Sequence, residues 1–447
     1  MNVLLLTHSY WPEHSPPQRR WQSLIRHLRT RGWQVTVVTP VAHYSHGPDY
    51  TRSTRGRVWG TQLGPLGERI RRVPYLTGGD DRFSKLVDQV FTATGSGLRA
   101  VTTPRPDVVV VTAPSLPLLA AGWCAAKLWR VPLVVEMRDA WPNLVTDSGV
   151  ALGLAQKVIN RAVEFVQNQA DTVVTVTEGF AETLRERGVG SVVTVRNGVQ
   201  LSRTPLLPPV PPRAHLEVLY LGNHGESQRL ERLIDAAGLV GSSMHLTMVG
   251  QGSQKASLVA HAARTGVPVR FLDPVFRKDV FALYEQADSL VISLRDDWKS
   301  FEATIPSKTY EVLAVGRHVT GVVKGEAARV LEDSGAGHIA NGTAEDIARV
   351  WRQLAADRTL LDVKDSGRLW VANHADYKDL AGQYDALLRG LLSRVAPSAS
   401  TAKPAEAAGA TGAAGATVAA GATQADHAPP AQGAIPEFAE RRDPTRG

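Results

Sequence analysis

The sequence predicts two tandem doubly wound α/β domains followed by a disordered tail. Short runs of β-branched residues alternate with helical patterns through the first half, and the same alternation restarts beyond a proline-rich linker. From Ala396 onward Ala, Gly, Pro and Thr dominate, and such a tail cannot repay the entropy of ordering it. A length of 447 residues also exceeds what one hydrophobic core ordinarily organises.

The chain opens Met1-Asn2-Val3-Leu4-Leu5-Leu6-Thr7-His8, without the basic stretch of a signal peptide, so Val3–Thr7 reads as a buried strand. Trp21–Arg31 has the spacing of an amphipathic helix and stops at Gly32. Val35–Thr39, Val108–Thr112, Leu133–Glu136 and Val173–Thr177 are further strands. Continuous apolar strands separated by helices imply a parallel sheet covered on both faces. Residues 43–82 are rich in Arg, Gly and Tyr, show little periodicity, and read as a long mobile excursion. The apolar run Leu116–Val135 is broken by Pro117, Lys127, Arg130 and Pro132, which makes it a poor transmembrane span.

Between Arg203 and Arg213 the sequence Thr-Pro-Leu-Leu-Pro-Pro-Val-Pro-Pro is a stiff linker. Strands at Glu217–Leu221, His245–Val249, Val269–Leu272, Ser289–Ser293 and His318–Val323 follow. Helices are expected at Gln228–Ala237, at Ser253–Thr265 and from about Ser307. The expected domains are residues 1–203 and 214–375, with a helix at 376–395 packing back toward the first domain and a tail over 396–447. Two such domains place their strand ends around a shared crevice, where open α/β sheets bind ligands.

Cys124 is the only cysteine, which excludes an intrachain disulfide and a cysteine zinc site and suits a reducing compartment. The net charge of +7 is uneven: the first 110 residues hold fifteen Lys and Arg against seven acids. The plain reading is a solvated face with mobile loops, and the functional one is attraction to an anionic partner such as a membrane surface or a phosphorylated acceptor. No aromatic-basic interleaving accompanies the charge, so a nucleic-acid partner is not expected.

The segment Thr304-Ile305-Pro306-Ser307-Lys308-Thr309-Tyr310-Glu311 follows a strand and opens a helix ended by Gly316. Free N–H groups near Ser307 form an anion site, Lys308 adds a full charge for a diphosphate, and Glu311 lies one turn deeper, where a carboxylate can accept a ribose diol. The alternative is an ordinary helix start with Glu311 in solvent. Lys324-Gly325-Glu326 opens a second helix, with Gly325 allowing close approach and Glu326 either holding sugar hydroxyls or complementing the helix dipole. Gly222-Asn223-His224-Gly225 closes a strand in a turn open to phosphate or sugar, or is simply tight. Glu136-Met137-Arg138-Asp139 ends another strand; Arg138 and Asp139 either pair with each other or face the cleft. His8 is a weaker candidate, since a lone histidine is more often structural.

Taken together and in order, these segments resemble the family 4 glycosyltransferases of the GT-B fold, two Rossmann-like domains facing across a cleft, in the bacterial branch that builds cell-surface polysaccharides. The resemblance spans about residues 1–392 and rests on Tyr10–Glu13, Glu136–Pro142, Arg196–Val199, Gly222–Gly225 with Gln228, Ile305–Glu311, and Gly325–Ala327 followed by Ser334–Gly337. It implies a metal-independent, retaining transfer of a hexose-type sugar from a nucleoside diphosphate sugar, UDP ahead of GDP. The acceptor would be a glycan or a lipid-linked acceptor, no cofactor would be required, and the setting would be cytoplasmic or peripheral on the inner membrane face. By that resemblance Glu311 holds the ribose, Lys308 and the helix start stabilise the departing diphosphate, Glu326 orients the sugar, and Arg138 and Asp139 line the acceptor side. Gly222, Asn223, Gly225, Ser307 and Gly325 complete the donor site.

Three positions depart from the family pattern. Ala303 stands where the first of two glutamates is usual, with Glu302 one residue out of register. Ser15-Pro16-Pro17 replaces a glycine pair, leaving Arg19 or Arg20 as substitute phosphate contacts. Arg138-Asp139 stands for the more common His-Asp. The rival readings are a nucleotide-sugar epimerase of the same fold and a catalytically silent scaffold.

Overall fold

The computed structural model describes residues 1–43, 54, 57–76, 82–138, 153–275 and 278–395. An eight-stranded sheet forms the first domain, in the order β3-β4-β2-β1-β5-β6-β7-β8. These strands are β1 Asn2–Leu6, β2 Gln34–Pro40, β3 Thr61–Leu63, β4 Arg69–Val73, β5 Val108–Thr112, β6 Leu133–Met137, β7 Thr172–Thr175 and β8 Val192–Thr194. All pairs are parallel except β3 with β4. The second domain is a six-stranded parallel sheet ordered β11-β10-β9-β12-β13-β14. Its strands are β9 Leu216–Leu221, β10 Met244–Val249, β11 Val269–Leu272, β12 Ser289–Ser293, β13 His318–Val322 and β14 Gly337–Ile339.

Alternating side chains explain the layers. Leu4, Leu6, Val109 and Val111 face helices Arg82–Val101 and Leu116–Trp129, while Val3, Leu5, Val108 and Val110 face Trp21, Trp33 and the helix Tyr377–Val395. That last helix packs against Pro16–Thr30 in the first domain. Domain two repeats the plan. Leu219, Leu290 and Ile292 lie under one helical layer, and Val218, Leu246 and Met248 under the other. The winding reverses between β1 and β5 and again between β9 and β12, the switch points beside which such sheets hold ligands.

Two expectations change. The excursion at 43–82 contributes β3 and β4 to the sheet, with Thr36 opposite Arg69 and Val38 opposite Arg71. Arg72 is buried there and donates to the carbonyls of Pro40 and Trp11, so a charged residue occupies an inward position and hides the strand's alternation. The first helix begins at Pro16 rather than Trp21, because Ser15 caps it and prolines fit a first helical turn. The tail 396–447 lies outside the described residues.

The linker lies along domain two, where Arg317 donates to Pro208 O at 2.6 Å and Leu207 N to Val315 O at 3.0 Å. Val199 and Asp376 form a bridge where the outgoing and returning crossovers run side by side.

Candidate active site

Glu136, fully buried at the end of β6, accepts from Arg20 Nε and Nη2 at 3.1 and 3.0 Å and from Trp21 Nε1 at 3.0 Å. Arg20 also donates to Val195 O at 2.9 Å and Arg196 O at 2.6 Å. These bonds use the guanidinium inside the domain, so Arg20 is not a phosphate contact. Arg19, one residue earlier and exposed, lies on a different face of the helix. Its charge acts on Tyr284, Lys308 and Glu311 of the second domain.

Those three residues form one cluster. Lys308 Nζ donates to Glu311 Oε1 at 2.5 Å and to Tyr284 OH at 3.1 Å, and the Tyr284 hydroxyl donates to the same oxygen at 2.7 Å. Both bonds to Glu311 fall on Oε1, which leaves Oε2 for a further donor. Burial pushes the Glu311 carboxyl up, but Lys308, Tyr284 and Arg19 outweigh it and hold it below the ordinary range, so it is ionised. Burial likewise depresses Lys308 and drives the Tyr284 phenol well up. The side chains of Lys308 and Glu311 keep 27% and 23% exposure, so the cluster is open to a ligand. Ser307 is exposed beside it, and the regular helix starts only at Thr309 and runs six residues to Ala314. The charge of Lys308 therefore matters more here than a helix dipole. Tyr284 closes the helix Lys278–Gln286 and carries no sequence signal of its role.

Glu326 lies in the first turn of the helix Gly325–Ser334, as its sequence position predicts, but its partners come from the other domain. It is buried, and its Oε1 and Oε2 accept from Glu178 N at 3.0 Å and Gly179 N at 2.8 Å, with Arg196 Nη1 2.8 Å from Oε1. The helix Glu178–Glu186 has no side-chain cap of its own, and Glu326 from the other domain supplies one. Thr177 Oγ1 adds a bond to Ala303 O at 2.7 Å. In this arrangement the Glu326 carboxylate joins the domains. Gly325 has φ +61°, and a Cβ there would overlap the Glu302 carbonyl.

The glycine turn after β9 is likewise committed. Gly222 N donates to Val249 O at 3.0 Å and Gly225 N to Gln228 Oε1 at 3.2 Å, so neither N–H is left for a phosphate. Glycine serves close packing, because a Cβ at Gly250, where φ is +147°, would overlap the Gly222 carbonyl. Asn223 is exposed at the turn's tip. Arg138 lies just past β6, partly exposed, and its charge reaches the buried Tyr377 phenol, while Asp139 lies outside the described residues. His8 is not alone: its Nε2 is 3.1 Å from His43 Nε2, and His43 stacks on Tyr75 at 3.9 Å. Among the described residues no group of three or more His, Cys, Asp or Glu is placed to hold a metal ion.

Two Rossmann-like sheets facing across a crevice are the GT-B fold, and the chain belongs to the family 4 glycosyltransferases. Residues 17–198 match the glycosyl transferase 4-like domain and residues 215–357 the glycosyl transferases group 1 domain. The colanic acid biosynthesis glycosyl transferase WcaI of Escherichia coli K12 is 25% identical over 338 residues, 71% of this chain and 82% of that protein. Sucrose-phosphate synthase from Thermosynechococcus elongatus superposes with a TM-score of 0.68 at 16% identity, covering 88% of this chain and 99% of that one. Anabaena HepE in complex with UDP-glucose gives 0.63 at 15% identity, covering 87% and 100%. The protein is a glycosyltransferase.

Proposed function

We propose that the enzyme transfers a hexose-type sugar from a UDP-sugar, with retention and without a metal, to a glycan or lipid-linked acceptor in cell-surface polysaccharide synthesis. It works in the cytoplasm, peripherally on the inner membrane face. The observation that carries this reading is the Lys308–Glu311–Tyr284 cluster with Arg19 acting on it from the opposite domain. In the proposed complex Glu311 Oε2 accepts the ribose hydroxyls, and Lys308 turns from Glu311 toward the diphosphate together with Arg19. Negative charge grows on the diphosphate as the glycosidic bond breaks. Two fixed cations therefore stabilise the transition state more than the ground state. The acceptor hydroxyl passes its proton to the donor phosphate, a route that needs no protein base. The Anabaena neighbour's complex with UDP-glucose supports the choice of donor.

Thermal-shift titration with a panel of nucleotide sugars tests the donor. A bound donor at one hundred times its Kd adds about 2.7 kcal/mol of stability. Glu311→Ala and Lys308→Ala should each weaken the effective donor about tenfold or more. Since burial lowers the Lys308 pKa, donor affinity should fall with rising pH before the ordinary lysine range near ~10.4 is reached. Equal stabilisation of wild type and Glu311→Ala would refute the site. UDP release that requires an acceptor separates transfer from epimerisation, and NMR of the product anomer reads the stereochemistry.

A further inference from the structure

The helix Arg82–Val101 is turned inside out. Thr92, Ala93, Ser96 and Ala100 face inward and are buried, and the Thr92 and Ser96 hydroxyls have no hydrogen-bond partner there. Facing outward are Leu86, Val87, Val90, Phe91 and Leu98, each between 39% and 60% exposed. Their spacing sets them on one stripe about three turns long. A helix covering a sheet ordinarily does the reverse.

The apolar surface continues over the next helices of the same layer. Leu116–Trp129 packs against Arg82–Val101 and exposes Leu128 at 60%, and Gly153–Gln169 exposes Val158 at 66% and Phe165 at 49%. Phe165 meets Trp123 of the middle helix edge-on at 5.3 Å, so the patch is continuous between the two. Single exposed apolar residues are ordinary on a protein surface, whereas a contiguous face is a contact site.

Charge identifies the occupant. Residues 82–101, 116–130 and 153–169 carry seven Lys or Arg against two acids, Asp88 and Glu164, and Asp88 is buried. Lys127, Arg130, Lys157 and Arg161 are exposed beside the apolar stripe. Apolar residues bordered by cations, with one exposed acid, match the acyl boundary and headgroups of an anionic bilayer. No helix of the described residues is long and apolar enough to cross a membrane, so these helices would lie on it.

We infer that this three-helix face of the first domain docks on anionic lipid. The inference deepens the peripheral location proposed above and rests on it. Flotation of the full chain with phosphatidylglycerol-containing vesicles, compared with pure phosphatidylcholine, is the test. Wild type should partition at least about tenfold better onto the anionic vesicles. Phe91→Glu with Leu98→Glu, and separately Lys157→Glu with Arg161→Glu, should each reduce that binding about tenfold while melting temperature and donor thermal shift stay unchanged. Wild type that fails to float, or either variant floating as well as wild type, overturns the assignment. So does a vesicle-free dimer that Phe91→Glu dissociates in ultracentrifugation, since the face would then be a protein interface. Intact flotation without any donor shift supports the docking face and sinks only the donor reading.

Discussion

Glu326→Ala removes three bonds from the domain contact: those from Glu178 N, Gly179 N and Arg196, at 3.0, 2.8 and 2.8 Å. Hydrogen bonds to a charged acceptor are worth ~1.5–3 kcal/mol each, but three that share one carboxylate do not add. The Arg196 side chain is 28% exposed, so water recovers part of its share. The two backbone donors open a helix, and water satisfies them once the domains part. A net loss of ~2–4 kcal/mol follows, a shift of about 30- to 700-fold toward separated domains. Small-angle scattering of the ligand-free enzyme reads this directly, with a larger radius of gyration expected for the variant. Thr177→Ala loses one neutral bond to Ala303 O and should change the curve far less. An unchanged scattering curve with kcat alone reduced would refute the reasoning and return Glu326 to the sugar.

Two further outcomes concern stability and pH. Glu136→Ala leaves the Arg20 guanidinium, 1% exposed, without its counter-charge, and should cost about 3–5 kcal/mol in urea unfolding. Arg20→Met combined with Glu136→Leu should recover most of that loss, and a single-mutant cost below about 1 kcal/mol would contradict the pairing. Burial holds the His318 pKa down at about 3, so the folded protein keeps it neutral where the unfolded chain, near ~6.5, takes up a proton. The stability this contributes is complete above about pH 6.5 and is lost as pH falls toward 3, at ~1.4 kcal/mol per pH unit. Unfolding free energies of wild type and His318→Gln between these limits should differ in slope by one proton, and parallel slopes would exclude the assignment.

Much of the fold was legible because parallel strands buried on both faces are written as unbroken β-branched runs, such as Val108-Val109-Val110-Val111. Strand β4 was not, since Arg72 reaches the interior by bonding backbone carbonyls, a long-range arrangement that no local pattern encodes. Lys308 and Glu311 were readable from their spacing on one turn. Tyr284, which completes their cluster, comes from a separate helix, and only the tertiary fold brings it there. Glu326 illustrates the opposite limit. Its place at a helix start was evident, but its partners lie about 130 and 147 residues away in the other domain.

The departure at Ala303 follows from that contact. A Cβ built on Gly179 would lie 3.2 Å from Ala303 Cβ and 3.3 Å from Glu326 Oε2, so both residues press against the same point of the first domain. An acidic side chain at 303 would enter this crowded place beside the buried Glu326 carboxylate, with two like charges competing for the donors that Arg196 and the helix end supply. Glu302 escapes the conflict because its side chain is exposed. Alanine at 303 and glutamate at 326 are thus one solution: the usual first carboxylate is given up where the domains meet, Glu326 spans the junction, and Glu311, the second glutamate of the usual pair, stays with Lys308 and Tyr284. In the proposed donor site, charge is then left to Lys308, Glu311 and Arg19, on either side of the crevice that this junction holds together.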